Sequence, residues 1–120
     1  MKTSNRLARI LKVLSVGTRV EILRLLKGRV LCVNALAARL SVTQGAVSQH
    51  LRIMRDAGLV LDEKSGYFVH YRLNEQTLAA WREEIDKLLD PTVEVGTDTK
   101  GASQCAAAMT RSMAARSRRT

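Results

Sequence analysis

The stretch TQGAVSQHLRIMRDAGL, residues 43–59, decides the fold of this chain. Its apolar residues recur at the spacing of an α-helix, so the sequence predicts a helix from about Gln44 to Ala57. Thr43 precedes this helix in the position of an N-cap, where its hydroxyl oxygen can accept a backbone N–H. The buried face of the helix is predicted to consist of Val47, Leu51 and Met54.

The opposite face of this helix is small and polar, as a helix that enters the major groove of DNA must be. Gln pairs with adenine, Ser and Thr reach a base or a phosphate, and Arg neutralises the backbone. The predicted DNA-binding residues of the helix are Thr43, Gln44, Gly45, Ser48, Gln49 and Arg52. The alternative is a polar face that is merely solvated.

The segments on either side complete a winged helix-turn-helix pattern. Before the helix, Leu31–Leu40 is predicted as a shorter helix, followed by the tight connection Ser41–Val42. After it, the apolar spacing changes from helical to alternating. This change predicts a hairpin of two strands, Leu59–Leu61 and Phe68–Leu73, with a turn over Asp62–Tyr67.

Helical spacing also predicts two helices before residue 28 and a last helix over Glu75–Asp90, which Pro91 stops. The expected fold class is therefore mainly α (α+β), a winged helix-turn-helix with five helices and a two-stranded β-hairpin wing. The wing tip is expected to lie along phosphates or in the minor groove, through Lys64, Ser65 and Tyr67. A solvated hairpin turn is the alternative for this tip.

The composition points to a polyanionic partner. The 120 residues carry a net charge of +9, which favours nucleic acid or an acidic membrane surface. No apolar window is long enough to span a membrane and the N-terminus lacks a signal core, so a cytoplasmic protein is expected. Basic residues are spread over several helices without an opposing bulky aromatic face, which disfavours a membrane partner.

Two regions are expected in the chain. Residues 1–90 are predicted to form the DNA-binding and dimerisation domain, and residues 91–120 a basic, disordered tail rich in Ala, Ser, Thr and Arg. The tail holds five basic and two acidic residues, so only three of the nine net positive charges fall in it. Most of the basic surplus therefore belongs to the domain.

The sequence offers no catalytic constellation. His50 has no Asp, Cys or Ser arranged around it, and it is expected to be structural or to contact a phosphate. His70 is expected to face outward from its strand. No nucleophile–base pair or phosphate-binding glycine loop accompanies either histidine. The chain is therefore not expected to be an enzyme.

Five stretches follow a known pattern: residues 18–26, 38–43, 46–52, 56–60 and 66–73. They resemble the ArsR/SmtB family of bacterial repressors, and the resemblance covers residues 18–89. It implies a homodimer, double-stranded operator DNA with two-fold symmetry, and repression that an inducer relieves. In such proteins the first and last helices form the dimer interface. The residues that suit this role here are Leu7, Leu11, Leu14, Leu78, Trp81, Ile85 and Leu88, with the ordinary core of one chain as the alternative.

The family's metal sites are incomplete in this sequence. The arsenic-type site uses a Cys-x-Cys pair, but this chain reads Cys32-Val33-Asn34, and the last helix lacks the histidine of the zinc-type site. No metal site is therefore assigned. The remaining hypothesis pairs Cys32 with Cys105, which could bind As(III) or another thiophilic ion, or oxidise to a disulfide or polysulfide bridge. The alternative is a small buried Cys32 and an incidental tail thiol.

Another class of function also fits the basic charge. A nucleic-acid-binding or scaffold protein without sequence preference would use the same fold and tail, but it would have no operator and no inducer. Specific binding exceeds non-specific binding by about 10³ or more, so competitor DNA separates the two functions.

Overall fold

A computed structural model describes residues 1–92, which form five helices and three strands. In chain order the elements are α1 (Lys2–Leu14), α2 (Gly17–Leu25), β1 (Leu31–Cys32), α3 (Val33–Leu40), α4 (Gln44–Asp56), β2 (Val60–Ser65), β3 (Phe68–Leu73) and α5 (Glu75–Leu89). The order confirms the expected winged helix-turn-helix, in which α3 and α4 are the two helices of the motif and β2 and β3 are the wing.

The core is aliphatic and centres on the inner face of α4. Val47, Leu51 and Met54 are completely buried, as their helical spacing predicts. They lie in one cluster with buried side chains of α2, α3 and the start of the wing: Ile22, Leu26, Leu36, Leu59 and Val60. Burying a side chain of this size stabilises the fold by about 1.5–3 kcal/mol. The core therefore fixes which face of α4 is left for solvent.

The turn between α3 and α4 has two local supports. Ser41 ends α3 in the left-handed conformation, with a φ of 53°, and the backbone N–H of Val42 then donates to the carbonyl of Ala37 at 3.2 Å. On the other side, the hydroxyl oxygen of Thr43 accepts a hydrogen bond from the backbone N–H of Ala46 at 3.1 Å. The predicted N-cap is thus present, and such a cap contributes about 1 kcal/mol.

The sheet is antiparallel in the order β1-β3-β2, so a third strand joins the predicted hairpin. Leu31 pairs with Tyr71, and Cys32 pairs with His70. The sequence predicted that Leu31 and Cys32 begin a helix over Leu31–Leu40, but α3 begins only at Val33. A strand of two residues carries no periodicity of its own, because its pairing with β3 is formed across the fold.

The wing is also longer than expected. The polar run that begins at Asp62 was predicted as a turn, but β2 continues to Ser65. Cross-strand contacts support the polar residues, since Arg72 Nε donates to Glu63 Oε1 at 2.6 Å. Gly66, with a φ of 65°, makes the short turn in a conformation that glycine adopts without strain. The first strand of the wing therefore extends four residues further, to Ser65, than the sequence predicted.

The predicted tail, residues 91–120, lies outside the described residues except for Pro91 and Thr92. Within residues 1–92, no helix is long and apolar enough to cross a membrane.

Candidate nucleic-acid interface

The outer face of α4 carries the residues that the sequence predicted for DNA binding. The hydrogen-bonding residues all belong to the exposed surface of the helix or its cap: Thr43, Gln44, Ser48, Gln49 and Arg52. They lie opposite the completely buried face, so packing against the domain occupies none of them. The structure thus brings these side chains together on one accessible surface.

Gly45 lies in the first turn of the same surface. A Cβ atom built at this position would meet nothing within 4 Å, and its backbone does not have a positive φ. The fold therefore does not require glycine here. Because glycine destabilises a helix by about 0.5–1 kcal/mol relative to alanine, its presence is not explained by packing within the chain. Its small size leaves room for the close approach of an external partner.

The wing is attached to α4 by an ion pair. Arg55 Nη1 lies 3.3 Å from Asp62 Oδ2, and both side chains are partly exposed. An ion pair this exposed contributes at most about 1 kcal/mol to stability, so it joins the wing to α4 only weakly. The predicted tip residues Lys64, Ser65 and Tyr67 are exposed at the far end of the hairpin.

Unpaired positive charge lies on both parts of this surface. Among residues 1–92, Arg52 on α4 and Lys64 on the wing form no ion pair, whereas Arg55 and Arg72 each pair with a carboxylate of β2. Exposed cations without a carboxylate partner are available to phosphate oxygens. We call the residues that the sequence predicts to contact DNA the DNA face: Thr43, Gln44, Gly45, Ser48, Gln49, Arg52, Lys64, Ser65 and Tyr67.

The sequence did not identify Arg19 as a residue that holds α4. Its Nε donates to His50 Nδ1 at 3.2 Å, and its Nη1 donates to the carbonyl of Val13 at 3.2 Å. Arg19 thereby connects the end of α1 and the start of α2 to α4. His50 is half-buried, and this contact agrees with a structural role, which is one of the two roles predicted for it. No local pattern reveals this contact, since the two residues are 31 positions apart.

The predicted dimer residues differ in exposure. Trp81 is buried in the core of the chain itself, and Leu7, Leu14, Leu78 and Ile85 are half-buried. Leu11 on α1 and Leu88 on α5 are exposed, at 39% and 54%. Leu14, Leu78 and Ile85 also line a shallow apolar cavity of about 230 Å³. Exposed apolar side chains are therefore present on both α1 and α5.

Cys32 is a half-buried thiol at the end of β1, opposite His70 of β3, which is itself half-buried instead of fully outward. Cys105 lies outside the described residues, so contact between the two cysteines stays a prediction. In the part of the chain that the structure describes, no group of three or more His, Cys, Asp or Glu side chains is placed to hold a metal ion.

Comparison with known proteins gives a consistent assignment. The family model for "Bacterial regulatory protein, arsR family" matches residues 17–61. The "Arsenical resistance operon repressor" of Escherichia coli is 41% identical over 78 residues, which are 63% of this chain and 65% of that repressor, so the chain spans slightly less than two thirds of this relative. The "HTH-type transcriptional regulator Rv2034" of Mycobacterium tuberculosis is 38% identical over 72% of this chain and 81% of its own length.

Solved structures agree with these matches. One is the homodimeric winged helix-turn-helix DNA-binding domain of Mb0332 from Mycobacterium bovis, described as a possible ArsR-family transcriptional regulator. It is 26% identical, covers 75% of this chain and 87% of that one, and has a TM-score of 0.58. The chain belongs to the ArsR family of bacterial regulatory proteins.

Proposed function

We propose that this protein is a homodimeric transcriptional repressor that binds operator DNA with α4 in the major groove and the wing on the flanking backbone. One observation carries the proposal: α4 has a completely buried inner face, and exposed polar side chains make up most of its outer face. A helix of this kind is held rigidly while its hydrogen-bonding groups remain available to base edges.

The chemistry of the DNA face suits this role. Gln44 and Gln49 can each donate and accept, which is the pattern that adenine offers in the major groove. Ser48 and Thr43 can reach a base or a phosphate, and Arg52 can pair with a phosphate. Gly45 supports the proposal independently, because nothing inside the chain requires a residue without a side chain there.

The wing supplies a second set of contacts. Lys64 offers a positive charge, and Tyr67, which is fully exposed, offers a phenol ring and hydroxyl at the tip. Contacts of this type position a protein on the duplex without reading its sequence. We therefore assign base reading to α4 and backbone attachment to the wing.

A dimer would give the DNA face its symmetry. The M. bovis relative is described as homodimeric, and the exposed Leu11 and Leu88 of this chain provide apolar area on the corresponding helices. Two copies related by a two-fold axis would place two α4 helices in successive major grooves, about 34 Å apart. The operator is then expected to be a pseudo-palindrome.

We also propose that this protein represses transcription from its operator and that an inducer releases it from the DNA. The E. coli relative is described as an operon repressor. A regulator of bacterial operons works in the cytoplasm, where its DNA is. Membership of a family of regulatory proteins agrees with the prediction that the chain is not an enzyme.

The test is a gel shift with DNA from upstream of the protein's own gene, in the presence of excess competitor DNA. Specific binding should be tighter than binding to random duplex by about 10³ or more. Equal affinity for both duplexes would refute the repressor and support the non-specific nucleic-acid-binding alternative. The salt dependence of both affinities, measured in parallel, gives the number of phosphates contacted.

A further inference from the structure

A cavity that the DNA face does not use lies between α1, α2, α4 and α5. Its volume is about 660 Å³, within the range of about 300–1,000 Å³ typical of small-molecule sites. Its walls come from α1, from Arg19 of α2, from the end of α4 and from Trp81 of α5. Any molecule bound here would therefore contact α4 directly.

The lining combines an apolar base with positive charge. Ile10 and Trp81 are almost completely buried beside it, and Ile53 presents an apolar side chain that is 41% exposed on the otherwise polar outer surface of α4. Ile53 belongs neither to the buried core cluster nor to the DNA face. An apolar surface of this kind suits the body of an aromatic or branched hydrophobic ligand.

The charges on the cavity are strongly unequal. Four basic side chains line it, Arg6, Arg9, Lys12 and Arg19, against the single carboxylate of Asp56. Arg6 pairs with Glu84 at 3.4 Å, and Arg19 is hydrogen-bonded to His50 and to a carbonyl. Arg9 and Lys12 form no ion pair with any residue that the structure describes. The cavity thus offers at least two cations without a carboxylate partner.

We propose that this cavity binds a small organic anion with an apolar body, such as an aromatic carboxylate or sulfonate, and that this anion is the inducer. The second half of the proposal rests on the repressor function proposed above. The anionic group would lie among Arg9, Lys12 and Arg19, and the apolar body would contact Ile53 and Trp81.

Arg19 provides the connection from ligand to DNA. In the structure its guanidinium donates to the imidazole of His50 on α4. A carboxylate or sulfonate accepts a hydrogen bond from a guanidinium more strongly than an imidazole nitrogen does, because both partners then carry charge. An anion in the cavity would therefore compete with His50 for Arg19 and loosen the attachment of α4, which lowers the affinity for operator DNA.

The cations of α1 that line this cavity lie away from the leucines proposed for the dimer. At about 100° per residue along a helix, Leu7, Leu11 and Leu14 lie on one side of α1, and Arg9 and Lys12 lie on the opposite side. A second copy packed on the leucines would not cover the two cations. Two closely placed cations would also repel a basic second copy, whereas they attract a small anion.

The test uses 1-anilinonaphthalene-8-sulfonate as the probe anion and N-phenyl-1-naphthylamine, the same skeleton without the sulfonate, as its neutral counterpart. Trp81 is the only tryptophan of the chain and lines this cavity as well as the smaller apolar one, so energy transfer from it reports binding near Trp81, and the variants below assign that binding to this cavity. The anion should bind at least about tenfold more tightly than the neutral compound, as expected for one charge-assisted contact.

The matched variants are Arg9→Gln/Lys12→Gln and Arg24→Gln/Lys27→Gln, which remove the same charge inside and outside the cavity. The first should weaken binding of the anion by about tenfold and the second by less than about twofold. Equal affinity for the anionic and neutral probes, or equal binding to both variants, would overturn the site. Weakened dimerisation of the first variant in sedimentation would assign the cavity to a second copy and also overturn it.

The coupling to DNA is measured separately. Saturating anion should weaken operator binding of the parent protein, and the Arg9→Gln/Lys12→Gln variant should need a correspondingly higher concentration. If the anion binds and operator affinity does not change, the inducer role is refuted. Because probe binding is measured without DNA, a failure to bind any operator would refute only the repressor function.

Discussion

Arg19 donates a hydrogen bond to His50 at 3.2 Å and so joins the start of α2 to the middle of α4. Both side chains are partly buried, and the same guanidinium also donates to the carbonyl of Val13. The position of α4 therefore depends on the hydrogen bond from Arg19 to His50 as well as on its apolar core. Arg19 also lines the cavity between α1, α2, α4 and α5, whereas the buried face of α4 does not.

A double-mutant cycle measures this contact. We expect His50→Leu to lower the free energy of unfolding by about 1–2 kcal/mol, since it leaves a partly buried donor of Arg19 without its acceptor. The cycle with Arg19→Met should give a coupling of about 1 kcal/mol. His50→Gln, which keeps an acceptor, is the control and should lose less. Additive effects of the two substitutions in urea unfolding would show that the contact is energetically unimportant.

Ser41 offers a way to stabilise the turn. Its φ of 53° is unfavourable for a residue with a side chain by about 1–2 kcal/mol, and glycine avoids most of this strain. Glycine loses more conformational entropy on folding than serine, and this loss offsets part of the gain. Ser41→Gly should therefore raise the free energy of unfolding by about 0.5–1 kcal/mol. Ser15→Gly is the control, because Ser15 has a φ of −81° and its hydroxyl donates to the carbonyl of Lys12. The control should be destabilised, and a loss of stability in both variants would contradict the argument from strain.

The sequence predicted those parts of the fold that depend on local signals. The helical spacing of α4, its Thr43 cap and the alternation of β3 are all present in the structure. These features follow from the period of apolar residues and from the chemistry of one side chain next to a helix end, neither of which needs a distant partner.

The parts that were missed depend on distant contacts. Leu31 and Cys32 form a strand only because β3 lies beside them, and the polar residues of β2 remain extended because they pair across the hairpin. The hydrogen bond from Arg19 to His50 likewise connects residues that no motif relates. For the same reason no sequence pattern predicts the cavity, whose lining comes from four helices.

Base reading and backbone attachment should be separable by mutation. Gln49→Ala is expected to weaken operator binding by about 1–3 kcal/mol while random duplex is bound as before, since only a base contact is lost. Arg52→Gln should weaken binding to both duplexes and reduce the salt slope by about 1, because one phosphate contact is lost. Arg24→Gln is the control for net charge. An unchanged preference for the operator in Gln49→Ala would remove this residue from the reading set.

The proposed dimer can be tested through the exposed leucines. Leu88 is 54% exposed on α5 of a single chain, so Leu88→Asp should fold normally but dissociate the dimer in sedimentation. Val30→Asp, at an apolar residue of similar exposure outside α1 and α5, is the control and should leave the dimer intact. A dimer that survives Leu88→Asp and Leu11→Asp together would show that the interface lies elsewhere.

Thiol sensing stays a separate prediction, and the gel shift tests it with arsenite, a mild oxidant and a polysulfide as additives. If Cys32 and Cys105 act together, at least one additive should release the parent protein from DNA, while Cys32→Ser and Cys105→Ser should each remain bound, because a bridge needs both sulfurs. Mass spectrometry after oxidant or polysulfide should then find one peptide pair joined through the two cysteines. Release of both serine variants would show that the additive acts outside these two thiols. Release that is lost only with Cys32→Ser would instead indicate chemistry at Cys32 and its neighbour His70, without any contribution from Cys105.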